Sequence, residues 1–153
     1  MDNVKLALAP GAGKKMSLCC AVRGCGVVGV SGEGTVTLAN SLPANIGLDV
    51  DSGRAVVRSS VSVGGAVNVK SGAVLELATG KGGSLSASSF YAEPGAVIVV
   101  SLDGGADKRG ATVKLVKGCS YADWALEGVK LSVTGGEGSL VVDKDGDIAL
   151  ALL

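Results

Sequence analysis

The sequence predicts an all-β fold, a right-handed parallel β-solenoid of about six coils, as a single domain over residues 1–153. Three observations predict it: an aliphatic chain nearly without aromatics, short β-prone runs separated by glycine turns, and a recurrence of apolar positions about every twenty residues. Apolar residues are 47% of the chain but aromatics only 3%, so the core has to be built from Val, Leu, Ala and Ile. A compact globule gains about 150–250 Å² of burial from each large aromatic. Regular layers of small and β-branched side chains are the available substitute, and they suit pleated surfaces.

Helical periodicity is nearly absent. Strand-forming runs recur at Gly26–Val30, Thr35–Ala39, Ile46–Val50, Ala55–Arg58, Val61–Val63, Ala66–Val69, Ala73–Leu77, Ala96–Leu102, Ala111–Val116, Val129–Val133, Ser139–Val142 and Ile148–Leu152. Between them stand turn formers such as Ser52-Gly53, Gly64-Gly65, Ser71-Gly72, Pro94-Gly95 and Asp145-Gly146. When Gly53, Gly72 and Gly95 are superposed, apolar residues coincide five and three before (Leu48, Val67, Phe90; Val50, Val69, Ala92). They coincide again two and three after (Ala55, Val74, Val97; Val56, Leu75, Ile98), at intervals of 19 and 23 residues. Such a period is the mark of a solenoid, each repeat being one coil stacked on the next. Residues 1–34 read as a less regular N-terminal segment and 119–153 as a C-terminal capping segment. The competing architecture, an antiparallel β-sandwich of Greek-key type, requires hairpins in place of a uniform coil.

Composition also excludes functions. Fourteen basic residues balance fourteen acidic ones, so no net field draws the chain to nucleic acid or anionic lipid. Without a histidine, serine–histidine triads, His-containing zinc sites and HExxH metalloproteases are impossible within the chain. No apolar run approaches the ~18–20 residues of a membrane-spanning helix. The N-terminus lacks a basic leader followed by an apolar stretch, so no signal peptide is read there.

The residues that could carry chemistry are few. Asp143, Asp145 and Asp147 alternate around Gly146, but this glycine precedes the third acid and no glutamate follows, so the pattern reads as a hairpin turn and not a calcium loop. Cys19, Cys20, Cys25 and Cys119 lack zinc-knuckle spacing; they read as buried or half-buried thiols, and any disulfide pairing is not fixed by sequence. Gly11-Ala12-Gly13-Lys14-Lys15 fails the phosphate-loop pattern at Leu8 and lacks a hydroxyl after Lys14. Asp49, Asp51 and Glu76 are the candidates for a carboxylate cleft, with Arg58 as the basic residue a polysaccharide lyase would need, but no aromatic stands near them. They read instead as solvated charges that discourage lateral sheet association. Neither metal, cofactor nor catalytic residue is assigned. Tyr91 and Trp124 are the candidate contact surface, with Phe90 and Tyr121 the only other aromatics available to it; Trp124, if buried, plugs the end of the stack.

The segments Val67–Leu77 and Gly138–Leu150, together with Trp124 in its Trp-x-Leu-x-Gly setting, resemble the strand repeats and final segment of bacterial autotransporter passenger domains. The likeness covers residues 35 to 153 and lies in pattern more than in invariant motifs. It implies a β-helix exported to the cell surface as stalk, scaffold or adhesin, and a chain excised from a longer one that carries a signal peptide and a membrane barrel. The expected function is therefore a non-catalytic structural or adhesive segment, cell-surface or secreted, with a carbohydrate-binding module as the alternative. The expected partners are further coils of a longer chain or other copies meeting at open solenoid ends, with host or matrix glycans as a second class. The apolar finish Ile148–Leu153 is expected to dock onto such a partner.

Overall fold

The computed structural model describes residues 4–19, 22–43, 45–79, 83–102, 112–117 and 126–153. Its strands are β1 (Val4–Leu8), β2 (Lys15–Leu18), β3 (Gly26–Val30), β4 (Thr35–Leu38), β5 (Ile46–Val50), β6 (Arg54–Val57) and β7 (Ser60–Val69). They continue as β8 (Val74–Leu77), β9 (Ser84–Ala92), β10 (Val97–Ser101), β11 (Thr112–Lys117), β12 (Lys130–Thr134), β13 (Gly138–Val142) and β14 (Ile148–Leu152). The odd-numbered strands and β14 build one sheet, in the order β1-β3-β5-β7-β9-β11-β14-β13, and the other even-numbered strands build the second, in the order β12-β10-β8-β6-β4-β2. The chain thus alternates between two sheets and returns to each beside the strand it laid there one coil earlier. This is a parallel β-solenoid, and the antiparallel sandwich is set aside. About four turns make up its body, fewer than the six coils that the sequence suggests; at the C-terminal end the parallel repeat gives way to antiparallel pairing.

Alternation within each short strand decides what is inside. In β5 the side chains of Ile46, Leu48 and Val50 are buried while Gly47 and Asp49 face out. Parallel register then stacks like on like: Val28, Leu48, Val67 and Phe90 form one column, and Val30, Val50, Val69 and Ala92 a second. In the other sheet Val36, Ala55, Leu75 and Ile98 form a third, and Leu38, Val57, Leu77 and Val100 a fourth. Among the described residues no polar or charged side chain is buried, and the interior is filled by layers that are aliphatic but for Phe90.

The turn glycines superpose as the sequence suggests, with Gly53, Gly72 and Gly95 at φ 71°, 82° and 94°. The register beyond them differs by one residue in one coil. Ala55 lies against Leu75 and Ile98, not against Val74 and Val97, because five residues separate Val50 from Ala55 where six separate Val69 from Leu75. The turn after β5 is one residue shorter, and an alignment anchored on glycine cannot register the loss.

The regions read as Val61–Val63 and Ala66–Val69 are one strand, β7, bulged at the Gly64-Gly65 pair; the register with β9 shifts between Val63 and Ala66. The first halves of β7 and β9 start a third, shorter face, which β11 joins by pairing Val116 and Lys117 with Leu85 and Ser86.

At the C-terminal end the parallel pattern stops. β14 runs antiparallel to β11, and β13 antiparallel to β14, forming a hairpin across the last rung. Ile148, Ala149 and Leu150 are wholly buried there, which corrects the expectation that the apolar finish docks onto another molecule: it closes its own stack. At the opposite end no described strand lies beyond β1 and β2. Leu6 and Met16, which head two of the core columns, are 46% and 39% exposed.

Candidate functional site

The outward faces carry ladders that parallel stacking builds from residues far apart in sequence. On the first sheet Asp49, Asn68 and Tyr91 occupy one column. The Asn68 side-chain amide donates to Asp49 Oδ1 at 3.0 Å, and Tyr91 stands 51% exposed beside it. Lys5 reaches from β1 to Asp51 Oδ2 at 2.6 Å and to Asp49 Oδ2 at 3.5 Å. Its stem lies over Gly29, where any Cβ would collide with it. The hydrogen bond to Asp51, opposed by some loss of hydration and helped by the two carboxylate charges, holds the Lys5 pKa above its usual value.

On the second sheet Glu76 lies 3.4 Å from Arg54 and accepts a hydrogen bond from the Ser101 hydroxyl at 3.2 Å. Glu76 therefore does not join Asp49 and Asp51: the three proposed cleft acids sit on different sheets. Among the described residues none of the ion pairs includes Arg58, so the lyase-like cluster is not assembled.

The densest charge cluster is at the capping hairpin. Asp143 Oδ1 accepts the amides of Asp145 at 2.8 Å and Asp147 at 3.1 Å, and backbone bonds between Asp143 and both Asp147 and Gly146 close the turn. The hairpin turn expected for this stretch is present. Among the described residues this trio is the one group of three carboxylates whose oxygens lie within 4.8 Å of one another, yet a cation of the chain's own enters it. Lys114 Nζ, from β11, lies 2.7 Å from Asp145, 3.0 Å from Asp147 and 3.6 Å from Asp143. The cluster is thus a charge latch tying the cap to β11. A calcium ion would have to displace the ammonium and find about 6–8 oxygens.

Hydrogen bonds to Asp145 and then Asp147 raise the Lys114 pKa well above its ordinary value. Partial loss of hydration opposes ionisation of Asp143, but the amides of Asp147 and Asp145 and the Lys114 ammonium outweigh it, holding its carboxyl below the ordinary 3.8. A depressed carboxylate contributes stability above its unfolded pKa and loses it as pH falls through the folded one. The raised lysine contributes fully below its unfolded 10.5 and loses its share as pH rises through the folded value. Melting temperature is therefore expected to decline below the ordinary carboxylate range, and Lys114→Met is expected to flatten that acid limb; thermal melts across pH check it.

Two shallow depressions adjoin the β1–β2 end. One of about 160 Å³ is lined by Leu6, Val22, Arg23, Cys25 and Ile46; a more open one of about 570 Å³ is lined by Arg23, Ser41, Leu42, Pro43 and Ser62.

No family model, curated protein or solved structure matches the chain.

Of the sequence candidates, Tyr91 is exposed, while Phe90 points inward at 8% exposure and leaves the contact surface. Trp124 and Tyr121, like Cys20 and Cys119, lie outside the described residues. Cys19 is exposed at the end of β2, against the expectation of a packed thiol, and Cys25 is half-buried. Sequence reading missed Lys5 and Lys114. No local signal marks them, since their partners are up to 46 and 33 positions away.

Proposed function

We propose that this chain is a non-catalytic scaffold, a structural or adhesive segment of a bacterial cell-surface β-helix that holds outward ladders at fixed spacing. The supporting observation is the apolar interior, aliphatic but for Phe90, in which four columns run coil over coil. Such a stack is rigid along its axis because each inner strand is paired on both sides. The ladders support the same reading: Asp49 and Asp51 face Lys5, Glu76 faces Arg54, and Glu93 faces Lys70 at 3.5 Å. Carboxylates held against cations are poorly placed to act as the raised-pKa general acid that glycoside hydrolysis requires. The bacterial surface setting rests on the resemblance of Val67–Leu77 and Gly138–Leu150 to passenger-domain repeats.

The test places the chain between an export leader and an outer-membrane barrel. A protease-resistant body at the cell surface is the expected result; degradation before export, or a body cleaved throughout, contradicts the proposal.

A carbohydrate-binding module is the second reading, favoured by exposed Tyr91 in line with Asn68 and Asp49, since a ring beside polar groups suits a sugar face. It expects binding on a glycan array that Tyr91→Ala abolishes; Tyr91→Phe should retain most of it. Equal binding by wild type and Tyr91→Ala rejects this reading.

A further inference from the structure

The two ends of the stack differ in a way that gives the scaffold proposal a direction. Among the described residues both edges of the first sheet are unpaired: β1 at one end and β13 at the other. The Ser31 amide donates to the Leu8 carbonyl at 2.9 Å, so Leu8 and, by alternation, Leu6 turn their backbone groups toward β3. Lys5 and Ala7 therefore direct theirs outward. At the other end the Leu153 amide donates to the Glu137 carbonyl at 3.0 Å, which leaves Gly138, Leu140 and Val142 directed outward.

Direction matches as well. β13 is antiparallel to β14, β14 is antiparallel to β11, and β11 is parallel to β9; hence β13 runs the same way as β1. β11, β14 and β13 stack on the first half of β9, whereas β1, β3 and β5 stack on the second half of β7. A β1 edge laid on a β13 edge would therefore extend the sheet in its parallel sense with the next copy turned about the axis.

Charge matches too. Residues 4–19 hold Lys5, Lys14 and Lys15 and no acid. Residues 126–153 hold Glu127, Glu137, Asp143, Asp145 and Asp147 against Lys130 and Lys144. Some of this charge is used internally by the Lys5 and Lys114 pairs, but Lys14, Lys15 and Glu137 are exposed and make none of the described ion pairs. Exposed Leu6 and Met16 supply the apolar part of the β1–β2 end.

We propose that copies of this chain associate head to tail, the β1 edge of one adding in parallel to the β13 edge of the next. The contact is heterologous, so copies add head to tail and each addition leaves a free β1 edge and a free β13 edge for the next. It is limited to the first sheet, because the second ends at β12 with no hairpin beyond it. The inference rests on the scaffold reading and adds the partner and its polarity.

Sedimentation velocity of the full chain tests it. Wild type is expected to form progressively larger species as concentration rises at low ionic strength, and fewer in high salt. Ala7→Pro removes an outward amide on an edge strand while leaving the β3 ladder intact, and is expected to weaken association about tenfold with a near wild-type melting temperature. Lys14→Glu/Lys15→Glu is expected to weaken it to a similar extent, and mixing that variant with Glu137→Lys should restore assembly. If Ala7→Pro does not fold, this charge pair decides alone. A wild type that stays monomeric at low salt, a discrete dimer that does not grow, or association indifferent to these changes overturns the inference. A monomer that is still displayed intact at the surface leaves the scaffold reading standing.

Discussion

Leu75→Ala is expected to lower stability by about 2–5 kcal/mol, and Leu75→Asp to abolish cooperative unfolding altogether. Leu75 is wholly buried in the central column, with Ala55 beneath it and Ile98 above. The small Ala55 cannot expand into the space a truncation leaves, so the cavity persists and its cost adds to the lost transfer energy. An aspartate there would find no partner, because no polar side chain is buried among the described residues. Against a total stability of about 5–15 kcal/mol, either change is large. The adjacent Val74 is the control: half-buried and outward, its change to alanine is expected to cost less than about 1 kcal/mol. Urea denaturation followed by circular dichroism reads all three. Equal losses at Val74 and Leu75 would mean that the inward register is wrong.

Gly53→Ala is expected to cost more than Gly72→Ala, although both glycines have left-handed backbones. Gly72, at φ 82°, has nothing within 4 Å of where a Cβ would stand, so its substitution carries only the conformational penalty of about 1–2 kcal/mol. At Gly53, φ 71°, the Cβ would lie 2.9 Å from the Gly34 carbonyl oxygen and 3.0 Å from that of Gly32, in the coil below. Those are backbone atoms fixed by the turn stack, where Ser52 donates to the Gly32 carbonyl at 3.1 Å and the Arg54 amide to that of Gly34 at 3.1 Å. Relief requires the two coils to separate locally, which adds about 1–3 kcal/mol. Paired urea titrations of the two variants measure the difference. Equal midpoints would show that neighbouring turns are not in contact at Gly53.

Most of the solenoid was legible because its signal is local. Strands such as Ile46–Val50 alternate cleanly, and glycine marks the turns between them. Three strands escaped notice for identifiable reasons. β9 buries Leu85 and Ala87 but then Phe90 and Ala92, so its alternation changes parity midway and matches no period-two template. β1 and β2 stack on one side only, which leaves Leu6 and Met16 exposed and weakens the contrast between faces. The short turn before Arg54 misled the alignment of Ala55 because a period measured from glycine to glycine averages over a one-residue deletion.

The charged ladders were the least legible part. Asp49 and Asp51 could be placed on one face of a strand, but the cation that answers them comes from β1, two coils away. The Asp143–Asp147 turn was readable from its Asp-Gly step, whereas Lys114 enters it through an antiparallel pairing with β14 that no repeat announces. The same break in the pattern explains the misreading of the apolar finish. Ile148–Leu152 has the composition of an interface, and it is one, formed with the chain's own last rung.

The most direct measurement is the set of interstrand nuclear Overhauser contacts between backbone protons in isotope-labelled protein. Coil-on-coil stacking predicts cross-peaks in parallel register linking Val50 to Val69, Leu48 to Val67 and Val67 to Phe90, separations of 19 and 23 residues. Antiparallel contacts joining β5 to β6 and β7 to β8, strands adjacent in sequence, would contradict it.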